Sequence, residues 1–63
     1  MTVKELLGLA EMRIDYIDIC DMKEGIDYYD VSDFYARLYY GNRVVESFDY
    51  DAKRLTLAIC IEG

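Results

Sequence analysis

The chain has 63 residues, 54% of them hydrophobic, and thirteen acids against seven bases give it a net charge of −6. That length makes one domain, 1–63, which buries only about 60% of the surface its unfolded chain exposes; the apolar fraction excludes a disordered chain. No basic-then-apolar leader precedes the first helix signal, and the longest largely apolar run, 55–61, is far short of the roughly 20 residues that cross a bilayer, so a cytoplasmic protein without membrane contact is expected.

Thr2 and Glu5 form a T-x-x-E capping box, and Val3, Leu6, Leu7 and Ala10 recur along one helical face. A first helix is predicted there, fading near Met12. Residues 14–22 (IDYIDICDM) have the Ile and Tyr content of a strand, with Ile17 and Ile19 on one face and Tyr16, Asp18 and Cys20 on the other. Lys23-Glu24-Gly25 reads as a turn in which Gly25 takes positive φ, and 26–30 returns as the second strand of a hairpin. Ser32, or Asp30, caps a second helix that runs to about Tyr40 with Phe34 and Leu38 on its buried side. Gly41 is expected to close it in the left-handed conformation.

Residues 43–50 make the third strand, and Asp51-Ala52-Lys53 the next turn. In the last strand Leu55, Leu57, Ile59 and Ile61 alternate with Thr56, Ala58 and Cys60. The large set is expected to meet the helices. The other set is small but barely polar, which marks a central strand or one whose outer face meets a second subunit. The pattern predicts an α+β fold, α-β-β-α-β-β, with a four-stranded antiparallel sheet and two short helices on one face. Strand order stays open. Cys20 and Cys60 are too few for a disulfide scaffold, and their strand settings predict buried free thiols.

The charge is not spread evenly. Residues 15–33 hold Asp15, Asp18, Asp21, Glu24, Asp27, Asp30 and Asp33 against Lys23 alone, and the rest of the chain is balanced. A spacing of three matches neither strand nor helix periodicity, so these acids are expected to ring both faces and the rim of the hairpin. Seven tyrosines accompany them. Tyr16, Tyr35 and Tyr50 read as core fillers, although Tyr16 also belongs to the acidic hairpin. Each of the pairs Tyr28-Tyr29 and Tyr39-Tyr40 is expected to expose one ring. Acids interleaved with Tyr16, Tyr28 and Tyr29 suit a basic protein partner, and carboxylates about 6.8 Å apart along a strand approximate the spacing of DNA phosphates. The plain reading is a solvated hairpin whose acids keep the sheet edge from aggregating.

Catalytic signatures are missing from the sequence. It has no histidine, no C-x-x-C pair, no calcium loop and no glycine-rich phosphate loop, so neither enzymatic activity nor a metal or other cofactor is expected. The dispersed bases and the net sign argue against direct nucleic-acid binding.

The opening MTVKELLGLAE, the strand I-D-I-C-D at 17–21 and the helix entry D-V-S-D at 30–33 resemble short acidic accessory proteins of phages and mobile elements of Gram-positive bacteria. Members of that class include anti-CRISPR and anti-restriction proteins, several of which imitate DNA with carboxylates. The resemblance implies an inhibitor of a Cas nuclease or another DNA-binding protein, and it transfers no individual residue. The alternative is a structural or adaptor module that self-associates, for instance as a homodimer, with its acidity serving solubility alone.

Overall fold

The computed structural model describes residues 1–62. Helix α1 (Val3–Leu9) is followed by strands β1 (Tyr16–Asp21) and β2 (Ile26–Val31), helix α2 (Asp33–Tyr40), and strands β3 (Val45–Asp51) and β4 (Thr56–Ile61). The expected element order holds, and both helices lie on one face of the sheet. The strands run in the order β2-β1-β4-β3. β1 pairs antiparallel with β2, and β3 with β4, but the central pair β1–β4 is parallel. The sheet is therefore mixed, not antiparallel throughout. Each hairpin is local, but joining their inner strands fixes a direction that no turn residue encodes. β4 is central, between β1 and β3, and its small outward set, Thr56, Ala58 and Cys60, is half-buried on the face the helices do not cover.

The core lies between the helices and the sheet. Val3, Leu6 and Leu7 of α1 and Ala36 of α2 close over Ile17, Ile19, Leu57, Ile59 and Ile61. The capping box forms as expected: Thr2 Oγ1 accepts the Glu5 N–H at 3.2 Å, and Glu5 accepts the Thr2 N–H at 3.0 Å. That bonding holds the exposed Glu5 carboxyl below the usual carboxylate range. α1 stops at Leu9 rather than near Met12. Its first-turn N–H groups find acceptors outside the helix, since Val3 and Lys4 donate to the carbonyls of Arg43 and Gly41, each at 3.0 Å. The Val45 N–H donates to the Met1 carbonyl at 2.8 Å, and Thr2 bridges Val44, so the amino-terminal residues cover one end of the β3 edge.

Both hairpins turn on the same device. Asp21 Oδ1 accepts the N–H groups of Lys23 and Glu24, and Asp51 Oδ1 accepts those of Lys53 and Arg54. Each turn ends in a left-handed residue, Gly25 at φ 68° and Leu55 at φ 52°. Leu55 thus lies in the turn and only half-buried, outside the strand predicted for it. Its carbonyl accepts the N–H groups of Asp15 and Tyr16 at 2.8 and 3.2 Å.

Ser32 caps α2, accepting the Tyr35 N–H at 3.1 Å. Two expectations about this helix fail. Gly41 is right-handed (φ −55°, ψ −35°); it is required because a Cβ would overlap the Arg37 carbonyl. Phe34 and Leu38 face outward, 75% and 61% exposed, while Ala36 and Tyr40 turn inward. Apolar residues occupy almost the whole circumference of α2, so periodicity alone does not choose its buried side. Among the described residues no helix is long and apolar enough to cross a membrane.

Candidate functional site

The helices leave the opposite face of the sheet uncovered. Pairing registers lay its side chains out as rows across the strands. One row runs Asp27, Cys20, Cys60, Ser47. The next runs Asp18, Ala58, Asp49, flanked on β2 by Tyr29 and the bulged Asp30. The third holds Tyr16, Thr56 and Asp51. Neighbouring strands stand about 4.8 Å apart, and successive rows about 6.8 Å. The surface has small residues along β4 and carboxylates on both sides.

Of the ten residues singled out in the sequence, Tyr16, Asp18, Asp27, Tyr29 and Asp30 gather on this face or its rim. The other five do not. Asp15 pairs with Arg13 at 3.0 Å, and Asp33 with Arg37 at 2.7 Å. Asp21 is only 5% exposed, on the helix side, where it meets Arg43 at 3.4 Å. Arg43 also donates to the Glu62 carbonyl at 2.8 Å. Glu24 stands exposed in the turn. Tyr28 faces the helices and packs on Tyr40, ring centroids 5.9 Å apart. The period of three thus distributes the acids among unlike surroundings. Asp21 shares strand parity with Ile17 and Ile19, which marks it as inward-facing.

The acids of the open face have no cationic partner. Among the described residues the three ion pairs named above are the only ones, and all involve acids away from this face. Asp18 Oδ1 accepts the Asp30 N–H at 3.2 Å, which holds the bulge where Asp30 takes φ 56°. Arg54 reaches the hollow lined by Tyr16, Asp18, Tyr29, Asp30 and Thr56 without forming an ion pair. Asp49 and Asp51 join the site from β3, outside the acidic segment. Their i, i+2 spacing in a strand was the available signal, since it puts both on one face.

Tyr16 and Tyr35 are exposed rather than core fillers, while Tyr50 is half-buried against the core and donates its phenolic O–H to the Arg13 carbonyl. Tyr29 and Tyr39 are well exposed; their neighbours Tyr28 and Tyr40 are less so. Burial against Tyr28 and Tyr35 raises the Tyr40 phenol above its ordinary range.

The thiols are free, as expected, but lie half-exposed on the open face rather than in the core. They are direct neighbours across the parallel pair β1–β4. The Asp27 carboxylate, cross-strand partner of Cys20, together with desolvation and the adjacent Cys60, pushes the Cys20 thiol up to about 11. Cys20 is therefore expected to alkylate more slowly at pH 8.5 than a cysteine in an unstructured peptide, because the thiolate is the nucleophile. Asp27→Asn is expected to speed the reaction, read site by site from the mass of iodoacetamide-treated protein. Equal rates in parent and variant would remove Asp27 from this role. Among the described residues no three His, Cys, Asp or Glu side chains are disposed to hold a metal ion.

No family model, curated protein or solved structure matches the chain.

Proposed function

We propose that this chain is a non-enzymatic, protein-binding inhibitor that captures a basic partner on the uncovered face of its sheet. The observation that carries this reading is the set of carboxylates on that face, Asp18, Asp27 and Asp49, drawn from three strands and none of them held in an ion pair among the described residues. A solvated face alone would tolerate acids, but the flanking rings of Tyr16 and Tyr29 add apolar contact area with polar tips, a composition enriched at interfaces. Asp18 and Asp49 stand two strand spacings apart, about 9.6 Å, with Asp27 one row along on β2, so arginines and lysines meet a spread of acceptors across the face. A protein that binds DNA phosphates meets comparable electrostatics here, so Cas nucleases and restriction endonucleases are the first partners to try, with DNA as the competing ligand.

The test is titration against such purified proteins across ionic strength. Binding is expected to weaken steeply with salt, and the triple variant Asp18→Lys, Asp27→Lys, Asp49→Lys is expected to lose at least 100-fold in affinity while keeping its circular dichroism spectrum. Binding that survives the triple reversal would overturn the reading.

A further inference from the structure

Helix α2 turns Phe34 and Leu38 away from the core between helices and sheet. At 3.6 residues per turn, Phe34 and Leu38 form the outward seam, opposite the inward Ala36 and Tyr40. Asp33 and Arg37 line one flank of that seam, bonded to each other at 2.7 Å. Tyr35 and Tyr39 line the other, their ring centroids 4.4 Å apart. The sequence pattern asks for Phe34 and Leu38 to be buried, and among the described residues of a single chain nothing buries them.

We infer that this face of α2 is an isologous dimer interface, occupied by the same face of α2 from a second copy of the chain. Two features favour a copy over an unrelated partner. The first is that the charge pattern is its own complement. A two-fold axis across the seam sets the helices antiparallel and keeps each flank on its own side. Asp33 then faces Arg37 of the second copy, Arg37 faces its Asp33, and Phe34 meets Leu38. The second is area. Phe34, Tyr35, Leu38 and Tyr39 are between 46 and 75% exposed, and together offer roughly 500 Å² per copy for large side chains of 150–250 Å² each. With the charged rim, covering all of this surface on both copies brings the total to roughly 1,000 Å², the lower limit of a specific contact and below the size of an obligate one. A weak, reversible dimer is expected from a contact of this size. The contact lies in the helix layer, so the two open sheet faces point outward from the dimer. The inference therefore stands apart from the function proposed for those faces.

Size-exclusion chromatography with light scattering, from about 1 μM to 1 mM, tests it. The mass is expected to rise with concentration from 7.4 kDa toward twice that value. The double variant Phe34→Ser, Leu38→Ser is expected to stay monomeric and folded, because neither side chain belongs to the core. Asp33→Arg and Arg37→Asp each place like charges across the axis, and each alone is expected to be monomeric. Mixed together they are expected to recover a heterodimer, visible by native mass spectrometry. A variant that merely loosened α2 would gain nothing from mixing. A parent that stays monomeric at 1 mM, a serine variant that still dimerises, or a mixture without heterodimer would each overturn the inference.

Discussion

Replacing Asp21 with alanine is expected to remove about 3 kcal/mol of stability. The carboxylate is 5% exposed and has two tasks. Oδ1 accepts the N–H groups of Lys23 and Glu24 at 3.1 and 3.2 Å and so shapes the first hairpin turn. The same group meets Arg43, which reaches on to the Glu62 carbonyl and so ties the β1–β2 turn to the end of β4. Alanine strands the turn donors and leaves a partly buried guanidinium without its counter-ion. Asp21→Asn keeps an acceptor for the turn and removes only the charge, so its loss is expected to be smaller, about 1 kcal/mol. A domain this small has a core contribution of roughly 3–5 kcal/mol, so the alanine variant is expected to be substantially unfolded at room temperature. Urea titrations followed by circular dichroism check the order; equal losses in the two variants would show that the ion pair, not the turn, dominates.

The glycines are expected to respond in three different ways to alanine. A Cβ at Gly41 overlaps the Arg37 carbonyl, which is backbone and cannot step aside without opening the last turn of α2. The expected loss is about 3 kcal/mol, the upper part of the range for overpacking. It is also expected to spread, because the Gly41 carbonyl takes the Lys4 N–H and so holds the start of α1. Amide hydrogen exchange at Val3 and Lys4 should therefore quicken in Gly41→Ala. At Gly25 a Cβ meets open space but the backbone stays at φ 68°, a cost of about 1 kcal/mol. At Gly8, inside α1, a Cβ also meets open space, and alanine is expected to raise the melting temperature, the helix preference being worth up to about 1 kcal/mol. A Gly41→Ala protein as stable as the parent would refute this ranking.

Local features of the fold were legible from residues a few positions apart. The Thr2–Glu5 capping box, the Ser32 cap, the positive φ of Gly25 and the inward Ile17 and Ile19 each depend on near neighbours. Features that join distant segments were not. The parallel sense of β1 and β4 leaves no mark in either strand, and neither does the adjacency of Cys20 and Cys60 that it creates. The candidate site was half legible for the same reason. Summing charge by segment found Asp18, Asp27 and Asp30, but it also counted Asp15 and Asp33, which the nearby Arg13 and Arg37 occupy from just outside the segment, and Asp21, which the distant Arg43 occupies. It passed over Asp49, which reaches the face only because β3 lies beside β4. Strand parity, applied to Asp21 and Asp49, separates inward from outward acids better than net charge does.

The parallel pairing of the inner strands also governs how the molecule is reached from a disordered chain. Tyr16 pairs with Thr56 and Asp21 with Ile61, so every partner in that ladder is forty positions away. Each hairpin closes over a short loop, but neither alone has a buried face to keep it closed. The entropy of bringing the two together must be met before Ile17, Ile19, Leu57 and Ile59 bury one another. Folding is therefore limited by one distant encounter, not by the sum of its local steps, and belongs with the slower mixed topologies despite the brevity of the chain.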